Sequence, residues 1–330
     1  MVHEACDMAR VAVIGLGIMG EGIAQGFAEA GLQVHVVDKD QMAIDRGLSQ
    51  IAANLDTAAA HGLLKDDPNV VRSRIRPECW EQIDAVVDRC QLAVETVPEV
   101  LDVKRSVFAR LDRASPDILL TSNTSSFTIS EITAAMKTPE RVVGIHYFNP
   151  AHLIPAVEIH HGARTSDQAI AQAIAIMKRI GKVPIRVRKE VPGFIINRLT
   201  GALEREIDHL LDEGIVTPED LDTAVRASLG FRLANIGPME AEDLIGLDTA
   251  ARVSNNLFPT LSNATEASPA LTAKVARGEL GMKAGQGWYD YSGQSREEVL
   301  KERNDRLLRQ LRLFRRSAAS ADDPQDEDDK

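Results

Sequence analysis

The sequence predicts an α/β fold in two parts: an N-terminal doubly wound sheet with helices on both faces, and a C-terminal all-helical domain. Three observations carry this. The apolar run Val11–Ile14 leads into Gly15-Leu16-Gly17-Ile18-Met19-Gly20, then a helix-like stretch, Glu21–Ala30, then a second apolar run, Val34–Val37, ending in Asp38. Residues 10–185 alternate strand-like and helix-like segments, as parallel sheets covered by helices do. From Val191 the pattern changes: Pro192-Gly193 breaks the chain, and apolar residues then recur at helical spacing.

Each part of the opening has a physical task in a dinucleotide site. Gly15 permits a tight turn. Gly17 lets backbone approach a pyrophosphate, and Gly20 lets helix pack closely on strand. The helix opening at Ile18, Met19 and Gly20 offers N–H groups and a positive dipole end to phosphates. Asp38 can accept hydrogen bonds from a ribose diol and would repel a 2′-phosphate, which favours NAD over NADP; Lys39 weakens that preference slightly. Further strands are expected at Leu92–Val94, Ile118–Thr121, Val142–His146, Val157–His160 and Val183–Val187. Helices are expected at Ile18–Ala30, Gln41–Ala60, Val103–Arg113 and Ala169–Ile180. Beyond the break, Ile195, Leu199, Leu203, Ile207, Leu210 and Leu211 mark one helical face. Thr217-Pro218 reads as an N-cap with proline at the first helical position. The expected division is 1–190 for nucleotide binding, 191–315 for the helical domain and 316–330 for a disordered acidic tail.

The chain has 330 residues, 44% hydrophobic and 26% charged, an ordinary globular balance. A net charge of -11 argues against a nucleic-acid partner. Much of it sits in the last ten residues, which hold six acids and one base. Cys6, Cys79 and Cys90 show no metal spacing and read as idle thiols in a reducing compartment. The N-terminus does not resemble a signal peptide, and no apolar stretch is long enough to span a membrane. A cytoplasmic location, no membrane partner and no bound metal are therefore expected.

A nicotinamide enzyme that oxidises an alcohol needs a base for the hydroxyl proton. His146 ends a predicted strand, where ligands bind in open α/β sheets. Glu158, twelve residues on, stands between apolar neighbours and needs a partner if buried. Their pairing would raise the imidazole pKa and fix its tautomer. The residues alone leave open a core histidine with no catalytic part. His152, His160 and His161 compete with it; the last two are read as surface or packing residues. Ser122-Asn123-Thr124-Ser125-Ser126 suits contacts to nicotinamide or substrate, or equally an N-cap for a helix at Ile129–Met136.

Taken together, these segments resemble the 3-hydroxyacyl-CoA dehydrogenase family. The resemblance rests on Gly15–Gly20 with Asp38, Ser122–Ser126, His146-Tyr147-Phe148-Asn149-Pro150 and Pro192-Gly193-Phe194-Ile195-Ile196-Asn197-Arg198. It also rests on Ile236-Gly237-Pro238-Met239-Glu240 and Gly281–Tyr291, and runs from about residue 9 to 292. It implies His146 as general base, Glu158 as its carboxylate partner, and Ser125 and Asn197 at the substrate oxygen. It places Glu95, Glu99, Lys104 and Asn123 near the nicotinamide half of NAD, and Asn149 at the substrate. It implies a homodimer through the helical domain. The start Gly-Leu-Gly-Ile-Met-Gly also resembles the 3-hydroxyisobutyrate and 6-phosphogluconate dehydrogenases, but Asp38-Lys39-Asp40 lacks their Asn-Arg-Ser/Thr turn.

Two departures bear on substrate. Acyl-CoA relatives carry a basic Lys-Gly-Lys stretch near the CoA phosphates; here His61-Gly62-Leu63-Leu64-Lys65 keeps one lysine. Ala151-His152-Leu153-Ile154-Pro155 and Leu229–Pro238 look more like relatives that oxidise free hydroxy acids, the gulonate and carnitine dehydrogenases. An NAD-dependent dehydrogenase of an L-3-hydroxy substrate is expected, with acyl-CoA narrowly ahead of a free acid. Lys65 would meet CoA phosphates, and Arg232 would meet a free carboxylate. The alternative from another class is an NAD-binding structural relative without catalysis.

Overall fold

The structure, a computed structural model, describes residues 9–322. Cys6 and the acids from Asp323 onward lie outside the described residues. The chain divides into two units, one running to Ile195 and resuming at Lys301, the other Ile196–Leu300.

The first unit is built on strands β1 (Arg10–Ile14), β2 (Gln33–Asp38), β3 (Ile75–Cys79), β4 (Leu92–Glu95), β5 (Leu119–Ser122), β6 (Val142–Tyr147), β7 (Ala156–His161) and β8 (Val183–Arg186). Between them run α1 (Ile18–Glu29), α2 (Gln41–Ala60), α3 (Pro68–Ser73), α4 (Ile83–Asp88), α5 (Leu101–Ala114), α6 (Ile129–Ile132) and α7 (Asp167–Arg179). The strands form one sheet in the order β3-β2-β1-β4-β5-β6-β7-β8. Pairing is parallel except between β6 and β7. Only eight residues link those two, too few for the crossover a parallel pair requires.

The near-continuous apolar runs follow from burial on both faces. Val11, Val13, Val34 and Val36 pack with Ile23, Phe27 and Ile44 on one side. Ala12, Ile14 and Val37 pack with Ile83, Phe108 and Leu111 on the other. Strand β3 was not expected. Only Ile75 of its residues is buried, so its sequence shows no apolar period, and Pro77 is tolerated because the strand is an edge.

The second unit contains α8 (Ile196–Asp212), α9 (Pro218–Ala224), α10 (Gly230–Leu233), α11 (Pro238–Ile245), α12 (Leu247–Leu257) and α13 (Pro269–Ala276). Thr217 caps α9 as expected, its side chain accepting from Asp220 N, and Pro218 opens the helix. Residues Gly281–Tyr291 form no helix longer than a single 3-10 turn; bridges Gly281–Gln286 and Gln286–Asp290 pin that segment.

The last helix, α14 (Arg296–Asp322), corrects two expectations. The helical domain does not run unbroken to 315, because the chain from Lys301 belongs to the first unit. The expected tail from 316 is helical as far as Asp322. Leu308 and Leu311, one turn apart, are buried. Asp305 pairs with His61 at 3.0 Å, and Arg312 donates to the His61 carbonyl. The many charged residues of α14 hid this docking face.

Candidate active site

The strand order reverses between β1 and β4, and the glycine loop lies at that switch point. Gly15 has φ 100°, and a Cβ there would meet Thr96 O at 2.9 Å. At Gly20 a Cβ would fall 1.9 Å from Gly15 O, so close helix packing excludes any other residue. At Gly17 a Cβ would meet nothing within 4 Å, and no side chain caps α1. The first N–H groups of α1, at Ile18, Met19 and Gly20, have no acceptor within the helix, and beside the open position at Gly17 they suit a pyrophosphate. Asp38 accepts from Leu16 N at 2.8 Å and from Asp40 N at 3.1 Å. These bonds fix the carboxylate beside the loop and leave lone pairs for a ribose diol. The residues thus fit a dinucleotide.

Strands β4 and β5 end in a charged network. Glu95 is fully buried and accepts from Lys104 Nζ at 2.9 Å, Ser122 Oγ at 2.6 Å and Val97 N at 2.8 Å. Burial pushes its pKa up, and Lys104 and Ser122 pull it back. Lys104 also pairs with Glu99 at 3.1 Å. Glu99 accepts from Thr124 Oγ1 at 2.7 Å and from the Ser125 and Ser126 N–H groups, each at 2.9 Å. Burial raises the Glu99 pKa, but the Thr124 hydroxyl, Lys104 and Ser126 outweigh it and hold it at about 2. The serines do not cap α6; Thr128 does, in a capping box with Glu131. Ser125 is instead held by Glu99. Asn123 Oδ1 accepts from Tyr147 N at 2.9 Å, tying this loop to the end of β6.

His146 and Glu158 are cross-strand neighbours in the antiparallel register. Nδ1 of His146 lies 2.8 Å from Glu158 Oε2, with Glu158 fully buried and His146 5% exposed. Glu158 Oε1 accepts the Ile195 N–H at 2.9 Å. A carboxylate bonded at both oxygens holds the imidazole in one orientation and leaves Nε2 for proton transfer. Phe148 and Phe194 stand against the imidazole, ring centroids 4.8 and 5.5 Å away.

The structure therefore brings His146, Glu158 and Asn123 together, and links Ser125 to Glu99, Lys104 and Glu95. Asn149 and Lys65 are exposed in the first unit. Asn197 and Arg232 are exposed in the second, on α8 and α10. Of the two expectations for His160, surface or packing, the structure shows packing: it is 1% exposed and stacked on Phe194. Thr96, Phe194 and Ile195 also escaped sequence reasoning. Ile195 acts through its backbone N–H, which no side-chain pattern reveals. Among the described residues no group of acids, histidines and cysteines could hold a metal ion, and no helix is long and apolar enough to cross a membrane.

Two family models match the chain: "3-hydroxyacyl-CoA dehydrogenase, NAD binding domain" over residues 10–191, and "3-hydroxyacyl-CoA dehydrogenase, C-terminal domain" over 193–291. A 5-formyl-3-hydroxy-2-methylpyridine 4-carboxylate 5-dehydrogenase of Mesorhizobium japonicum is 35% identical over 306 residues, 92% of this chain and 98% of that protein. A solved structure of such an enzyme, described as an NAD+-dependent dismutase, is similar with TM-score 0.86 and 34% identity, covering 93% of this chain and 99% of its own. The (S)-3-hydroxybutyryl-CoA dehydrogenase of Ralstonia eutropha is similar with TM-score 0.70 and 33% identity, over 87% of this chain and all of its own.

Proposed function

The chain belongs to the 3-hydroxyacyl-CoA dehydrogenase family, NAD-dependent enzymes that act on a hydroxyl group, and on that premise we propose that it oxidises a compact, free hydroxy acid with His146 and Glu158 as its catalytic pair. The observation that carries the chemistry is the buried Nδ1–Oε2 contact of 2.8 Å. In the oxidative direction His146 takes the hydroxyl proton at Nε2. Glu158 balances the imidazolium that forms. Ser125, held by Glu99, orients the substrate oxygen, and the resemblance assigns Asn197 to the same oxygen. Bound NAD supplies the hydride acceptor.

Two observations support a free acid. The pyridine-carboxylate relative matches nearly its whole length, with the higher TM-score of the solved structures compared above. At the start of the segment where acyl-CoA relatives are basic, α14 engages His61 through Asp305 and Arg312. An acyl-CoA substrate is the second reading, favoured by cations at that same place, Lys65 and Arg312. The test is NADH formation with a panel of 3-hydroxybutyryl-CoA, gulonate, carnitine and 3-hydroxybutyrate. Turnover of a free acid alone supports the first reading. Turnover of the CoA ester, with a Michaelis constant raised by Lys65→Glu most strongly at low salt, supports the second.

The second unit supports assembly with another copy of the chain. No apolar side chain of residues 196–300 is buried among those described. Phe231, Met239, Leu244, Leu247 and Phe258 are each more than 60% exposed. Apolar surface on that scale marks an interface, and the reading is a homodimer.

A further inference from the structure

His160 is a buried polar side chain that the chemistry above does not use. It follows Glu158 by two residues on β7, so both side chains leave the same face of the strand. In the register, Glu158 opposes His146 and His160 opposes Gly144. Neither ring nitrogen of His160 has a hydrogen-bond partner. The ring lies directly on Gly144, where a Cβ would meet Cε1 at 2.0 Å and Nε2 at 2.1 Å. Only glycine admits the ring there, which accounts for a glycine in the middle of a buried strand. Phe194 stacks on the ring, centroids 3.9 Å apart and planes 28° apart.

Phe194 is the only non-glycine residue at positive φ among those described, at 49°. An aromatic side chain pays for that backbone only where its surroundings hold it. The next residue, Ile195, gives its N–H to Glu158 Oε1. The direction of that N–H follows the Phe194 backbone, and the Phe194 ring rests on His160.

We infer that His160 is a positioning residue: its flat ring, seated on Gly144, holds Phe194 in the left-handed conformation and so keeps the Ile195 N–H on Glu158 and the carboxylate aimed at His146. The inference rests on the proposed catalytic pair, and its test separates the two. The probe is the ligand-free enzyme, read by the low-field proton resonance of the His146 Nδ1–H. That resonance is identified by its loss in His146→Ala and Glu158→Gln. In His160→Ala it broadens or vanishes, while NADH affinity stays at the wild-type value. His160→Phe restores the flat ring and the resonance.

Kinetics on the best substrate of the panel give the second readout. His160→Ala lowers kcat about tenfold, and the loss shrinks to less than about twofold in a Glu158→Gln background, because both act on one carboxylate. If His160→Ala does not fold, Phe194→Leu reads the same contact from its other side and should behave alike. A resonance unchanged in His160→Ala overturns the inference. So does a tenfold loss that persists in Glu158→Gln, or a Phe variant as damaged as the Ala variant. A wild-type enzyme with no such resonance, or a silent Glu158→Gln, overturns the catalytic pair itself.

Discussion

A histidine at a strand end becomes a base only when something orders it. In the proposed pair that order would come from Glu158, bonded to the imidazole on one oxygen and to backbone on the other. His146→Ala should lower kcat by about a hundredfold or more, the usual scale for a general base, with NADH binding nearly unchanged. Glu158→Gln should act on the same step, so the double variant should lose little more than the worse single one. Losses that multiply would assign the two residues to separate tasks. Asp38 presents a second test of this kind. Its carboxylate is fixed by Leu16 N beside the glycine loop, where it would repel a 2′-phosphate. Asp38→Ala should erode the preference for NAD over NADP, seen as the ratio of kcat/KM values for the two. A wild-type enzyme faster with NADP than with NAD contradicts this role.

Among the elements, α14 lies beyond the family match, which ends at residue 291. It docks on the first unit through Leu308 and Leu311 and through Asp305 and Arg312 at the end of α2. Truncating a buried leucine removes its transfer free energy and leaves a cavity. Leu308→Ala and Leu311→Ala should each destabilise the enzyme by about 2–3 kcal/mol in urea unfolding. Wild-type stability in both variants would show that α14 is undocked in solution. The antiparallel β6–β7 pair is the other decisive element, because it brings His146 and Glu158 side by side without any intervening helix.

For the whole molecule, the exposed apolar side chains of the second unit predict that light scattering at micromolar concentration reports about twice the 36.0 kDa chain mass. A monomer there would remove the homodimer reading. Stability should also depend on pH through two buried imidazoles. Burial holds His160 at about 3 and His152 at about 4, with His146 and His161, when protonated, adding to the first shift and Lys182 and Arg303 to the second. The unfolded chain protonates them near the ordinary 6.5. Between those values the unfolded state binds more protons, so stability falls as pH drops from 6.5 and levels off below about 3. His160→Phe should flatten this acid limb in denaturation midpoints measured from pH 7 to 4. An unchanged slope would mean that His160 is protonated in the fold.

The glycine loop, Asp38, the helical caps and the buried strands were legible in the sequence because each is a local matter. A tight turn needs Gly15, a capped helix needs Thr217, and a strand buried on both faces needs an unbroken apolar run such as Val11–Ile14. His146 and Glu158 were legible as chemistry and through the family resemblance. Their pairing was expected too, and the structure has it at 2.8 Å; that it is made across an antiparallel strand pair was not legible, since spacing along a chain does not state the direction in which two strands pair. The roles of Ile195, Phe194 and His160 depend on a backbone N–H, a positive φ and a stack across two strands, none of which leaves a period or a motif. The edge strand β3 and the docking of α14 were hidden for the same physical reason. Each is specified by what a few residues bury against distant parts of the chain, and only the folded structure brings those surfaces together.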